Sequence, residues 1–275
     1  MKISGITEKE IKNAWHSYLT TGNLPSGVKS HWFEHKSLRP LVKLLPKSPR
    51  CDICYFPFKG IGGFLSDKLL GLRSSNLNPH LCNLCERFAT EYHGGIEIEM
   101  AVVFVDVRNS TPMAEKMSAE QFSKLINRFY HDVTESFYHN YGLVQKFQGD
   151  EVGGFFVPGI AGTKFVAKAV MTGKQALEAL GYGTPSGPWI DAGVGIHTGI
   201  AYAGSIAMSN GVTDISILGD TVNTAARLTS HANRGEIIIS EATRINAKLS
   251  TDTLEQRKLT LKGKSEEMMV WAITI

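Results

Sequence analysis

The order in which apolar periodicities change beyond Ile96 constrains this chain more than any single residue does. Ile96–Val107 is a strand-like apolar run carrying Asp106 at its end, and from there period-two and helical patterns alternate. The pattern predicts a helix from about Pro112 to Asn140, strands over Leu143–Phe147 and Val152–Val157, a helix over Thr163–Leu180 and a strand over Ile190–Thr198. That order is β-α-β-β-α-β, so an α+β, ferredoxin-like sheet is expected. Extra C-terminal strands follow near Ala201–Ile206, Asp214–Leu218, Ile237, Leu259 and Val270, with a helix over Thr221–His231. In such a sheet the first strand lies beside the third, and Gly149-Asp150 between the second and third has hairpin-turn character. Asp106 and Asp150 are therefore expected at one end of adjacent strands.

Two carboxylates that close repel each other unless cations lie between them. A carboxylate pair holding two divalent metals is a recurring apparatus of phosphoryl transfer, and oxygen ligands suit Mg²⁺ or Mn²⁺. Either acid alone would more often be a solvated loop residue or a helix cap. Asn223 and Arg227 lie four apart at an expected helix start and so share one face. Alone they would read as a helix-start polar residue and a surface ion-pair partner.

The remaining composition excludes several classes. Basic and acidic residues number 29 and 26, for a net charge of +3, too even to be a nucleic-acid footprint. Met1–Gly27 has no apolar core with a small-residue cleavage site, and no run approaches the roughly 18 apolar residues of a membrane helix. A cytoplasmic protein without a membrane span is expected. Residues 1–48 form an arm with one helix, Thr7–Thr20, and a basic segment around His31, Trp32 and His35 to which no chemistry is assigned.

Residues 49–95 are a small cysteine-knuckle module. All four cysteines fall in two pairs, Cys51/Cys54 and Cys82/Cys85, a pattern that points to metal before disulfides. Four thiolates satisfy tetrahedral structural Zn²⁺ with no open position, although Tyr55–Leu81 is longer than the usual finger spacing. A redox or iron–sulfur role and unligated thiols are the alternatives, and His80 is a possible substitute ligand.

Four stretches carry a resemblance. Phe104-Val-Asp-Val-Arg-Asn-Ser-Thr111, the Lys146-Phe-Gln-Gly-Asp150 turn, Gly195-Ile-His-Thr-Gly199 and Leu218-Gly-Asp-Thr-Val-Asn-Thr-Ala-Ala-Arg227 resemble, in the family's order, the class III adenylate/guanylate cyclase homology domain. The resemblance covers about Met100 to Ile275, and the domain is assigned to 96–275. It implies an enzyme that closes a nucleoside triphosphate into a 3′,5′-cyclic monophosphate and releases pyrophosphate. By the same resemblance Asp106, Asp150 and the carbonyl of Val107 hold two Mg²⁺ or Mn²⁺ per site. Asn223 orients the ribose, and Arg227 stabilises charge on the α-phosphate. Leu261-Lys-Gly-Lys264 resembles the stretch where the family places a phosphate-binding lysine; Lys262 and Lys264 compete for that role, and Lys262 is favoured. His197 is read as structural.

The resemblance also places base selection on Lys146 and Ser216. A lysine donates to the N1 acceptor of adenine, whereas guanine presents a donor there, so ATP is favoured. A serine hydroxyl donates or accepts and discriminates poorly. Alternatives are a pyrimidine (UTP or CTP) cyclase of a bacterial antiviral signalling system and a catalytically silent nucleotide-binding module. A diguanylate cyclase would need a Gly-Gly-Asp/Glu-Glu-Phe hairpin that Gln148-Gly-Asp-Glu-Val152 only partly matches. The family builds each site across a head-to-tail dimer, so a symmetric homodimer is expected.

Overall fold

The computed structural model describes residues 6–23, 49–207, 213–252, 254–263 and 267–275. The segment around His31, Trp32 and His35, and Lys264, lie outside the described residues. The chain divides into two compact units, one of Met1–Ile98, Pro158–Ile160 and Tyr202–Leu218, the other of the remaining residues.

In the first unit, helix α1 (Glu8–Thr21) starts on a capping box between Thr7 and Glu10 and stops at Gly22, which takes the left-handed conformation. Helix α2 (Gly60–Leu70) lies between the cysteine pairs in sequence, and α3 (Asn83–Glu91) starts on the second pair. Phe88 of α3 is buried, with the rings of Trp15 and Tyr18 at 4.7 and 5.4 Å. Trp15 Nε1 donates to the carbonyl of Tyr92 at 2.7 Å, so the indole keeps its hydrogen bond while its rings are buried.

In the second unit, β1 (Gly95–Val107, entering from the first unit) leads into α4 (Ser110–Glu115) and α5 (Ala119–His139), then β2 (Leu143–Gln148) and β3 (Glu151–Phe156). Next come α6 (Pro158–Ala161), α7 (Phe165–Ala179) and the long β4 (Ala192–Ala207). The chain continues through β5 (Thr213–Leu218), which with Tyr202–Ala207 of β4 and Pro158–Ile160 of α6 belongs to the first unit, and then through α8 (Asp220–His231), β6 (Glu236–Ser240), α9 (Glu241–Asn246), β7 (Glu255–Thr260) and β8 (Glu267–Thr274). The sheet runs β2-β3-β1-β4-β6-β8-β7, with β5 paired to β4 off that path. The β-α-β-β-α-β order and the pairing of first with third strand are as the sequence predicts.

Helix α5 presents Ile126, Phe129, Val133 and Phe137 at helical spacing, all buried in one cluster with Val103, Val105 and Phe156 of the sheet. The expected helix Pro112–Asn140 is two helices, because Ser118 caps α5 through a box with Gln121. The two strands expected at Ile190–Thr198 and Ala201–Ile206 are the single β4. Gly199 in its middle admits the close approach of Thr221, since a Cβ there would fall 2.8 Å from Thr221 Oγ1. Gly195 is still tighter. Its Cβ would lie 2.2 Å from the backbone nitrogen of Thr229, so α8 packs directly on the bare strand.

Candidate active site

The end of β1 and the β2–β3 turn build one wall. Asp106 stands opposite Glu151 in the β1–β3 register, and one step on the Val107 amide donates to the Asp150 carbonyl at 3.0 Å. Gly149 takes φ +63° to make the turn, and the Tyr130 hydroxyl donates to its carbonyl at 2.6 Å. Past β1 the chain bends at Asn109, also left-handed, and brings Ser110 back so that its hydroxyl donates to the Asp150 carboxylate. These groups open on a cavity of about 550 Å³, whose other wall includes Asp191, Asn233 and Arg234.

The electrostatics are mixed. The Arg108 guanidinium donates to the Asp106 carboxylate and, through Nη1, to the carbonyls of Thr229 (3.2 Å) and Ala232 (3.4 Å) at the end of α8. Burial lowers the pKa of Arg108, with Asp150 and Glu151 opposing that shift. Asp150 by contrast makes its side-chain hydrogen bond to a neutral hydroxyl. Burial, and after it the nearby Asp150 charge, pushes the Tyr130 phenol above its ordinary value. Asp191 accepts from the Tyr182 hydroxyl at 3.2 Å and lies 3.9 Å from Arg234. Two carboxylates and adjoining backbone carbonyls make an all-oxygen donor set, which suits hard divalent cations.

Asn223 and Arg227 are not in this wall. Asn223 is exposed in the first turn of α8, whereas the end of that helix, Ala232, lines the cavity. At 1.5 Å per residue, Asn223 stands roughly 13 Å along the axis from Ala232. Arg227 instead faces the Lys262-Gly263 turn, where a Cβ on Gly263 would lie 3.4 Å from its Nη2. Lys262 is exposed at that turn. Ser216 lies in β5 opposite Gly204, and Lys146 in β2 opposite Gly153.

Sequence reasoning had no signal for Asp191 and Arg234 as parts of this cavity, because tertiary packing alone brings them there, whereas Arg108 stands two residues from Asp106 in the same motif stretch. Ser110 had one, since it falls within the quoted Phe104–Thr111 stretch.

In the first unit, Cys51, Cys54, Cys82 and Cys85 are buried and their sulfurs all lie within 4.8 Å of one another, a cluster that could hold a metal ion. Burial, with help from Cys51 and Cys82, pushes the Cys54 thiol up, while hydrogen bonds from its three sulfur neighbours pull Cys82 down. The cluster does not use His80, whose exposed ring instead lies 3.7 Å from Asp52. No helix among the described residues is long and apolar enough to cross a membrane.

An aspartate at the end of a central strand and a second in the adjoining turn of a βαββαβ sheet suit a phosphoryl-transfer domain, and comparison narrows the class. The profile of the adenylate and guanylate cyclase catalytic domain matches residues 96–274, and the chain belongs to that family as a nucleotide cyclase catalytic domain. Among solved structures, the guanylyl cyclase Cya2 is similar at 25% identity and TM-score 0.58, over 65% of this chain and 93% of that one. The adenylyl cyclase CyaB from P. aeruginosa is similar at 28% identity and TM-score 0.54, over 66% and 96%. An uncharacterized protein of Mycobacterium tuberculosis is 33% identical over 136 residues, 49% of this chain and 23% of its own length. An adenylate cyclase of Anabaena cylindrica is 24% identical over 185 residues, 63% of this chain and 36% of its own. The match thus spans only about a quarter to a third of these two relatives' length.

Proposed function

We propose that the chain converts a nucleoside triphosphate, ATP by preference, into its 3′,5′-cyclic monophosphate and pyrophosphate. The observation that carries this is the junction of Asp106 and Asp150 across the Val107–Asp150 backbone bond, opening on a cavity of about 550 Å³. Asp106, Asp150 and the Val107 carbonyl would hold two Mg²⁺ or Mn²⁺. When bound, such a pair activates the attacking 3′-oxygen and neutralises phosphate charge.

The chain's own residues do the rest. Arg108 orients the Asp106 carboxylate and ties it to the end of α8. Asn223 positions the ribose, and the Arg227 fork receives the charge that builds on the α-phosphate. Lys262, beside Arg227, binds phosphate. Lys146 donates to adenine N1, with Ser216 as its weaker companion. Because Asn223 and Arg227 stand away from their own chain's aspartates, a second copy supplies them and the active form is a homodimer with two equivalent sites. The similarity to CyaB and to the Anabaena enzyme supports ATP, whereas Cya2 acts on the guanine side, so the decision falls to Lys146. A triphosphate substrate goes with a cytoplasmic location, and the four buried thiols take a structural Zn²⁺.

The test is incubation of the protein with ATP, GTP, CTP and UTP separately under Mn²⁺ or Mg²⁺, with products resolved by chromatography and mass. Cyclic AMP is expected, and Lys146→Glu should shift preference toward GTP. A cyclic pyrimidine product would overturn the base assignment and revive the antiviral reading. No product from any nucleotide would refute the catalytic reading in favour of a binding module.

A further inference from the structure

Helix α3 begins on the cysteine cluster and lies against β5. Cys82 is its cap residue: the Cys82 sulfur accepts from the Cys85 amide at 3.4 Å, and the Cys82 amide donates to the Cys51 sulfur at 3.2 Å. Cys54 and Cys82 sulfurs are 3.5 Å apart. A Zn²⁺ tetrathiolate with bonds of about 2.3 Å has sulfur–sulfur edges of about 3.8 Å, so little movement closes this cluster around the ion. The two knuckles are already fastened to each other, with the Asp52 amide donating to the His80 carbonyl at 2.9 Å.

The same module grips the β4–β5 hairpin. The Asn78 amide, between the cysteine pairs, donates to the Asp214 carboxylate at 3.4 Å. Just past α3, the Gly94 amide donates to Ser205 Oγ at 2.9 Å and the Ser205 amide to the Gly94 carbonyl at 2.8 Å. A Cβ on Gly204 would fall 2.3 Å from that carbonyl, so the two backbones touch. Gly204 is the residue opposite Ser216. Strand β5 pairs only with β4 among the described strands, and α3 packs beside it.

We propose that the four cysteines form a Zn²⁺ tetrathiolate that serves as the clasp of the β4–β5 hairpin, fixing the strand that carries Ser216. A helix of nine residues does not hold itself in water. Two of the four ligands pin the first turn of α3, and Phe88 pins its middle against Trp15 and Tyr18. Without the ion the first turn loses its anchor, and β5 loses the surface it leans on. Ser216 matters here only through the base-reading role proposed above, whereas zinc content and the exchange behaviour of β5 are independent of that role.

The experiment uses the full chain. Metal content is measured by mass spectrometry, zinc is stripped with a chelator under reducing conditions, and amide exchange is followed peptide by peptide. About one zinc per chain is expected. Stripping should speed exchange in α3 and Thr213–Leu218 by about tenfold or more, leave Leu143–Phe156 unchanged, and be reversed by zinc. Cobalt refilling should give the absorption of a tetrahedral tetrathiolate. Because Cys54→Ser removes a buried ligand and risks unfolding, Asp214→Ala is the second variant: zinc should stay bound while β5 exchanges faster. Substoichiometric zinc with four freely titrating thiols overturns the metal site. Stoichiometric zinc with unaltered β5 exchange after stripping overturns the clasp. A failed cyclase assay would remove the role of Ser216 and leave both of these readouts standing.

Discussion

Replacing Asp150 by Asn separates chemistry from folding more cleanly than any other change at the site. The carboxylate is partly exposed and bonded to the neutral Ser110 hydroxyl, and its backbone carbonyl receives the Val107 amide. An asparagine keeps an oxygen for Ser110 and leaves the backbone bond intact, so no buried cation is stranded. A stability loss below about 1 kcal/mol is expected, worth about 2–4 °C in melting temperature for a domain of this size. Catalysis loses a full negative charge where two cations and a triphosphate are proposed to meet. Removing one preorganised electrostatic group typically costs about 10²–10³ in turnover, about 2.7–4 kcal/mol. The assay is cyclic-nucleotide formation at saturating Mn²⁺, with thermal melting of the same preparation. Tyr130 gives a local control: with the Asp150 charge gone, its phenol should titrate lower than in the parent. Activity within about tenfold of the parent at an unchanged melting temperature would refute the metal assignment.

Gly195→Ala should cost about 1–3 kcal/mol or more by overpacking, because the new methyl meets the Thr229 nitrogen at 2.2 Å and the Ala225 carbonyl at 2.6 Å. Turnover should fall with it, since α8 carries Asn223 and Arg227, and a parental melting temperature would refute the close packing of α8 on β4. The Tyr182 phenol is raised above its ordinary value chiefly by burial, so the folded state holds that proton more tightly than the unfolded chain. Its contribution is complete below the unfolded value of about 10 and is lost as pH rises through that value and the folded one. Tyr182→Phe should therefore flatten the fall in melting temperature above about pH 10, and an unchanged slope would place that titration elsewhere. Mixing Asp106→Ala with Arg227→Ala should restore about a quarter of parental activity, because half the dimers become mixed and each rebuilds one of two sites. No recovery in mixed dimers would sink the shared-site reading.

What was legible in the sequence was local. The Gly149-Asp150 hairpin and the apolar run ending at Asp106 follow from turn chemistry and period, and together they fix the aspartate pair once the strand order is known. The break between α4 and α5 was written in Ser118 and Gln121 but hidden inside a continuous helical period. The strands read at Ile190–Thr198 and Ala201–Ile206 are one, and Gly199 between them is bare where a Cβ would meet Thr221 Oγ1 at 2.8 Å. Arg108 stands two residues from Asp106, but nothing in the spacing of Asp191 and Arg234 announces that they share its cavity. His80 failed as a ligand for a related reason, since closeness in sequence to Cys82 does not aim its ring at the cluster.

Helix α8 then takes on two duties that no reading of its own residues would have joined. Its last carbonyls, with Ala232, hold the Arg108 guanidinium, which in turn engages Asp106, while its first two turns bear Asn223 and Arg227. In the composite dimer proposed here, one rigid element braces its own chain's aspartate and presents the triphosphate-facing residues to the other site. The bare contact at Gly195 sets where that element lies against β4. A small rotation of α8 would therefore alter both sites together, so changes at Gly195, Arg108 and Thr229 belong to one coupled group whose effects should not add.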